Sequence, residues 1–192
     1  MEEHEFTLRD RIGVIQNAEK RFRISENAYI SFSGGKDSTV LSALIDLALP
    51  ENQIPRVFVD TGIEYNAIRA FVSKLCEKDA RFVKITTKKP IKKILETYGY
   101  PFKSKEHSHI LSCYQHSGFS KSVNMYLSRE GNKLITCPKA LEYQFGQDFH
   151  LKVSDQCCLR MKKEPFKQFQ RDAKKSVAIT GIRHGEGGKE RL

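Results

Sequence analysis

No run of apolar residues in this sequence approaches the ~20 needed to cross a bilayer. The first residues include Glu2, Glu3 and Glu5 where a secretory leader would carry a basic segment and then an apolar one. These two absences predict a chain that stays in the cytoplasm and touches no membrane. No internal repeat, low-complexity tract or linker interrupts the 192 residues, so the sequence predicts one domain over 1–192 with a core of its own. Five cysteines, an odd number, fit thiols or metal ligands better than a disulfide framework. Two common nucleotide-loop patterns are also missing. The Walker spacing is not met, and without Gly-x-Gly-x-x-Gly a nicotinamide cofactor is not expected.

What is present is a soluble, basic composition. Hydrophobic residues make up 39% and charged residues 29%, and 33 Lys and Arg stand against 23 Asp and Glu, a net charge of +10. That excess favours polyanionic partners, nucleotides or nucleic acid. The basic residues gather at Lys84, Lys88, Lys89, Lys92, Lys93, Lys103 and Lys105, and again from Arg160 to Lys175. Solvated helix faces would look the same.

Along the chain, Phe6, Leu8, Ile12, Ile15, Ala18 and Phe22 recur at helical spacing, which predicts an amphipathic helix over 1–25. Ala28 to Phe32 is a short β-prone run that stops at Ser-Gly-Gly, and Ser38 to Ala48 has helical composition. The unit then repeats: a strand at Val57 to Val59, a helix from Ala67 to Cys76, a strand at Phe82 to Ile85 and a helix from Pro90 to about Tyr98. Residues 100–156 read as an insertion with a helix around Ser117 to Arg129. Pro165 suits the first turn of a helix through Phe166 and Phe169, and Ser176 to Thr180 is the last strand. Alternating strands and helices predict an α/β fold: a three-layer, Rossmann-like, mostly parallel sheet with helices on both faces. The end at Leu192 comes early for such a fold, as expected of a fragment.

The loop Ser33-Gly34-Gly35-Lys36-Asp37-Ser38 follows the first strand directly. Two glycines there let the backbone turn tightly and aim several N–H groups at one point, to which the next helix adds its positive end. Lys36 supplies a mobile charge for phosphate oxygens, and Ser33 and Ser38 supply hydroxyls. Asp37 could cap the helix or help hold a magnesium ion. The plainer alternative is a Gly-rich turn capped by Asp37 and Ser38.

Ser33 to Ser38 resembles the PP-loop of the adenine nucleotide alpha hydrolase superfamily, which includes ATP pyrophosphatases, ATP sulfurylase and the PAPS reductase family. Phe58-Val59-Asp60-Thr61-Gly62, Thr180-Gly181-Ile182-Arg183 and the segment Cys157-Cys158 to Pro165 narrow the resemblance to the PAPS reductase family. It covers residues 28 to 185 and is poorest in the insertion. The resemblance implies that Asp60, Thr61 and Gly62 lie beside the nucleoside, where a turn with a capping Asp is the alternative. It implies that Gly181 and Arg183 lie across from the PP-loop, with Arg183 a second anion ligand. With the motif chemistry it makes Lys36, Asp37 and Arg183 the expected catalytic residues.

In APS reductases, paired cysteines ligate a four-iron, four-sulfur cluster together with a Cys-x-x-Cys further on, which this chain does not have. A cluster on Cys157 and Cys158 would need Cys137 or Cys113, or ligands from elsewhere; two structural thiols are the alternative. His109, Cys113 and His116 could share a helical face, as zinc ligands or as an ordinary surface helix. Cys76, among Phe71, Val72 and Leu75, reads as core.

The leading expectation is an enzyme that binds ATP with Mg²⁺ and cleaves at the α-phosphate, adenylating an acceptor and releasing pyrophosphate in sulfur metabolism or nucleic-acid thiolation. Reduction of APS or PAPS to sulfite is the second, although no C-terminal catalytic cysteine is present. The third is a nucleotide- or nucleic-acid-binding module without turnover. Expected partners are the adenine nucleotide, nucleic acid or a sulfur-donor protein, and a second copy in a homodimer.

Overall fold

The structure, a computed structural model, describes residues 3–128 and 136–182. The chain divides into two compact units, Met1–Thr86 with Pro165–Leu192, and Thr87–Glu164. Among the described residues no helix is long and apolar enough to cross a membrane.

The first unit opens with α1 (Glu3–Phe22) and a single turn, α2 (Ile24–Asn27). β1 (Ala28–Ser31) then leads through the Ser-Gly-Gly loop into α3 (Lys36–Ala48), and β2 (Arg56–Asp60) into α4 (Asn66–Lys78) and β3 (Phe82–Thr86). The strand β4 (Val177–Ile179) closes the unit. All pairings are parallel, in the order β3-β2-β1-β4. Such a sheet must be covered on both sides. β1 divides its side chains accordingly, since successive residues of a strand point to opposite faces. Ala28 and Ile30 pack with Ile45 of α3 and Ile15 of α1, whereas Tyr29 stacks on Phe166 at 5.7 Å between ring centroids and meets Phe169 edge-on at 5.5 Å. Those two phenylalanines belong to α8 (Glu164–Asp172), whose second residue is Pro165; the helix expected to start there instead continues directly from the helical turn before it. The α/β expectation, parallel sheet and helices on both faces, is met.

At the amino end of β2, away from the loops that follow the strands, Arg56 is fully buried. Its guanidinium donates to Ser42 Oγ at 3.1 Å, Asn52 Oδ1 at 2.9 Å, the Ile54 carbonyl and Asp46 Oδ1 at 2.5 Å. Arg81 joins from the start of β3, donating to Asp46 Oδ1 at 2.8 Å and Asp79 Oδ2 at 2.8 Å. Burial pushes the Arg56 guanidinium down, opposed by Asp46. For Asp46 burial acts upward, but hydrogen bonds from Asn52 and Arg81 outweigh it and hold the carboxyl below its usual range. A buried arginine is tolerated only with such partners.

The second unit holds α5 (Ile91–Tyr98), α6 (Lys105–Ser117), α7 (Lys121–Leu127), a 3₁₀ segment Lys139–Phe145 and a π-helical turn Leu159–Lys163. The single helix expected around 117–129 is instead α7, preceded by α6. Gly118, at φ 68°, ends α6, and Ser120 caps α7 by accepting from Val123 N at 3.4 Å. The core comprises Leu111, Val123, Tyr126, Cys137, Phe145 and Val153. Inside it His107 is fully buried, with Nδ1 at 2.9 Å from the Tyr126 hydroxyl and Nε2 at 2.7 Å from Gln144 Oε1.

Candidate functional site

Ligands of open parallel sheets bind beyond the carboxyl ends of the strands, where the strand order reverses. Here the chain passes outward from β1 to β2 and β3 on one side and returns as β4 on the other, so the reversal lies between β1 and β4. The loops after β1 and β4 meet at that point. A Cβ on Gly181 would stand 3.1 Å from the Asp37 carbonyl oxygen and 3.5 Å from Ser38 N, so the chain leaving β4 runs against the first turn of α3. Only a residue without a side chain fits there without displacing that turn.

The loop after β1 is held by its own hydroxyls. Ser38 Oγ accepts from Ser33 N at 3.2 Å, lies 3.1 Å from Ser33 Oγ and donates to the Gly35 carbonyl at 3.0 Å. Gly35 N donates to Ser33 Oγ at 3.3 Å. Gly34 takes the left-handed conformation, φ 74°, which a side chain disfavours. A Cβ there would also lie 2.8 Å from Ile68 Cγ2 and 3.2 Å from Val72 Cγ2. The loop is therefore pressed between its serine clasp and α4. Gly35 begins α3 with no side chain capping it, and no described atom accepts from the N–H groups of Lys36, Asp37 or Ser38. These donors converge at the positive end of a helix of 13 residues. Lys36 and Asp37 are exposed, and neither forms an ion pair among the described residues, whereas Ser38 is buried.

The loop after β2 is built differently. Asp60 is 7% exposed and accepts from Gly62 N at 3.0 Å and Arg69 Nε at 3.3 Å, with Lys84 Nζ 4.0 Å away. Gly62 has φ 86° with open space around its Cα. Thr61 is buried, and Glu64 accepts from both its N–H at 3.0 Å and its hydroxyl at 2.6 Å. Burial acts to raise the Glu64 carboxyl, but the Thr61 bonds outweigh it and keep it below its usual range. Glu64 and Arg69 went unread in the sequence. The signal for Glu64 was there, because Thr-x-x-Glu is the reciprocal spacing of a capping box; Arg69 had none, since its partner comes from another element.

The structure thus brings Ser33 to Ser38 together with Gly181, and places Asp60, Thr61 and Gly62 at the end of the neighbouring strand. Arg183 lies outside the described residues. The cysteines do not gather. Cys137 is buried, its thiol donating to the Pro138 carbonyl at 3.6 Å, whereas Cys157 and Cys158 line a cavity elsewhere in the second unit. Among the described residues no group of three or more His, Cys, Asp or Glu is arranged to hold a metal ion. Among the described residues the cysteines therefore bring together no four-iron ligand set, and His109, Cys113 and His116 no zinc site. His109 Nδ1 faces Asp155 at 3.4 Å, and His116 Nδ1 donates to the Ser112 carbonyl at 2.7 Å. Cys76 packs beside Phe32, Phe58 and Val72, as its neighbours in sequence predict.

The family model for the phosphoadenosine phosphosulfate reductase domain matches residues 27–125. The match begins just before β1, takes in the Ser33 to Ser38 loop and the Asp60 to Gly62 turn, and ends within α7.

Proposed function

Since the chain belongs to the phosphoadenosine phosphosulfate reductase domain family, a sulfonucleotide-related family of nucleotide-binding enzymes, we propose that its first unit binds an adenine nucleotide by the phosphates and cleaves ATP at the α-phosphate. The supporting observation is the Ser33 to Ser38 loop: a clasped backbone with unpaired N–H groups at the start of α3, beside Gly181 at the reversal of strand order. An acceptor oxygen attacks the α-phosphorus, the bond to the bridging oxygen breaks, and pyrophosphate leaves with the electron pair. The N–H groups and Lys36 stabilise the charge that grows on the leaving group, and their fixed placement spares reorganisation at that moment. Arg183 is the second proposed anion ligand. Asp60, Thr61 and Gly62 are the proposed nucleoside contacts, the first two through a turn already fixed by Gly62 N and Glu64. Asp37, exposed and without an ion pair among the described residues, fits as the carboxylate for a magnesium ion, which would neutralise pyrophosphate charge when bound. The setting is sulfur metabolism or nucleic-acid thiolation.

A second reading, thiol-dependent reduction of APS or PAPS to sulfite, is favoured by the family match itself. One pair of assays separates the two: pyrophosphate released from ATP with Mg²⁺ supports adenylation, and sulfite released from APS or PAPS with a thiol donor supports reduction. Tight binding with neither product would identify a nucleotide-binding module.

A further inference from the structure

Cys157 and Cys158 open onto a cavity of about 310 Å³ in the second unit, whose walls include Phe102, Lys103, Lys105 and Asp155. Both thiols are partly exposed, and neither makes a hydrogen bond among the described residues. Lys103 and Lys105 thus share the wall of one cavity with the two sulfurs. The carboxylate on the wall, Asp155, faces His109 Nδ1 at 3.4 Å. By sequence, residues 87–164 carry 14 Lys and Arg against 7 Asp and Glu, a net +7 for the unit as a whole.

The backbone decides what such a pair can do. Both cysteines are helical, and Cys158, at φ −64° and ψ −41°, leads directly into the π-helical turn Leu159–Lys163. Turns of that kind are frequent at functional sites. Neighbouring Cα atoms across a trans peptide are about 3.8 Å apart, whereas disulfides span about 4.4 Å or more. The two thiols cannot close on each other while the helix persists, so each is available to an outside sulfur.

We propose that this cavity is a site where Cys157 or Cys158 captures an anionic disulfide of the glutathione type as a persistent mixed disulfide. The cysteine thiolate attacks one sulfur of the incoming disulfide, the S–S bond breaks, and the departing thiolate carries away the electron pair. The cysteine sulfur is oxidised and the departing thiol reduced. Lys103 and Lys105 draw in the anionic reagent, and because the neighbouring thiol cannot displace it, the adduct lasts until an external thiol removes it.

The test uses the full chain at one pH and compares reagents on the same thiols, so that their ionisation cancels. Rates are followed with the dianion 5,5′-dithiobis(2-nitrobenzoate), neutral 4,4′-dithiodipyridine and dicationic cystamine, and sites are assigned by peptide mass. We expect the dianion to be favoured at Cys157 or Cys158, and Lys103→Gln and Lys105→Gln each to slow it about threefold per anionic charge, with the neutral reagent nearly unaffected. High salt should erase the preference in the unmutated protein, which gives a readout independent of how the variants fold. Glutathione disulfide should leave one adduct on this pair. No adduct at either cysteine, a salt-independent reagent ratio, or a Cys157–Cys158 disulfide formed in place of the adduct would overturn the proposal.

Discussion

Replacing Gly34 with Ala tests the packing that shapes the phosphate loop, because the cost has two separable parts. The first is conformational: at φ 74° an alanine pays about 1–2 kcal/mol for the left-handed backbone. The second is steric: the new Cβ would sit 2.8 Å from Ile68 Cγ2. Ile68 branches at Cβ and is stiff in a helix, so relief requires a poor rotamer or a shift of α4, about 1–3 kcal/mol more. Gly34→Ala should therefore cost roughly 2–5 kcal/mol in urea unfolding and weaken ATP binding by displacing the loop. Ile68→Ala, at a half-buried position, should cost about 1–2 kcal/mol alone. In the double variant the overlap is gone and the glycine substitution should cost only its conformational part, a coupling of roughly 1–3 kcal/mol. A cost for Gly34→Ala that is unchanged in the Ile68→Ala background, within the roughly 0.5 kcal/mol expected of independent sites, would refute the reasoning.

Lys36→Ala removes a charged hydrogen-bond donor, worth about 1.5–3 kcal/mol, and calorimetry should show nucleotide affinity falling roughly 10- to 100-fold with the fold intact. Arg56→Met should destabilise by about 3 kcal/mol in denaturant, the low end for breaking a buried pair, because Asp46 keeps Arg81. The carboxyls of Asp46 and Asp79 lie below their usual range, so their contribution is complete above the ordinary carboxylate value and is lost as pH falls through their lowered ones. Asp46→Asn should make the acid limb of the stability profile shallower. Burial, with Cys137 and Glu106, pushes the Tyr126 phenol up to about 12. The stability it contributes is thus complete below the ordinary tyrosine value and fades as pH rises through the raised one. Tyr126→Phe should remove that limb and cost about 1–3 kcal/mol by leaving the His107 ring nitrogen unpartnered.

Much of the first unit was legible because its signals are local. Glycines after a short apolar run mark the turn from β1 into α3, and strand-helix alternation implies parallel pairing. The second unit yielded less: a glycine and a serine break its helical stretch at Gly118 and Ser120, and the π-helical turn has no pattern of its own. At the candidate site, the glycines, Lys36 and Asp37 could be read from the chain. The reason Gly34 must be glycine could not be, because half of it lies on α4 at Ile68 and Val72, far along the sequence. The Arg56, Asp46, Arg81 and Asp79 network was hidden for the same reason: its charges come from three separate stretches and meet only when the sheet forms.

The most direct test is a crystal structure of the chain with a non-hydrolysable ATP analogue bound. The account predicts phosphate oxygens within hydrogen-bond reach of the N–H groups of Lys36, Asp37 and Ser38, with the adenosine toward Asp60 and Gly62. A nucleotide bound elsewhere, with those N–H groups still open to solvent at saturating ligand, would contradict it.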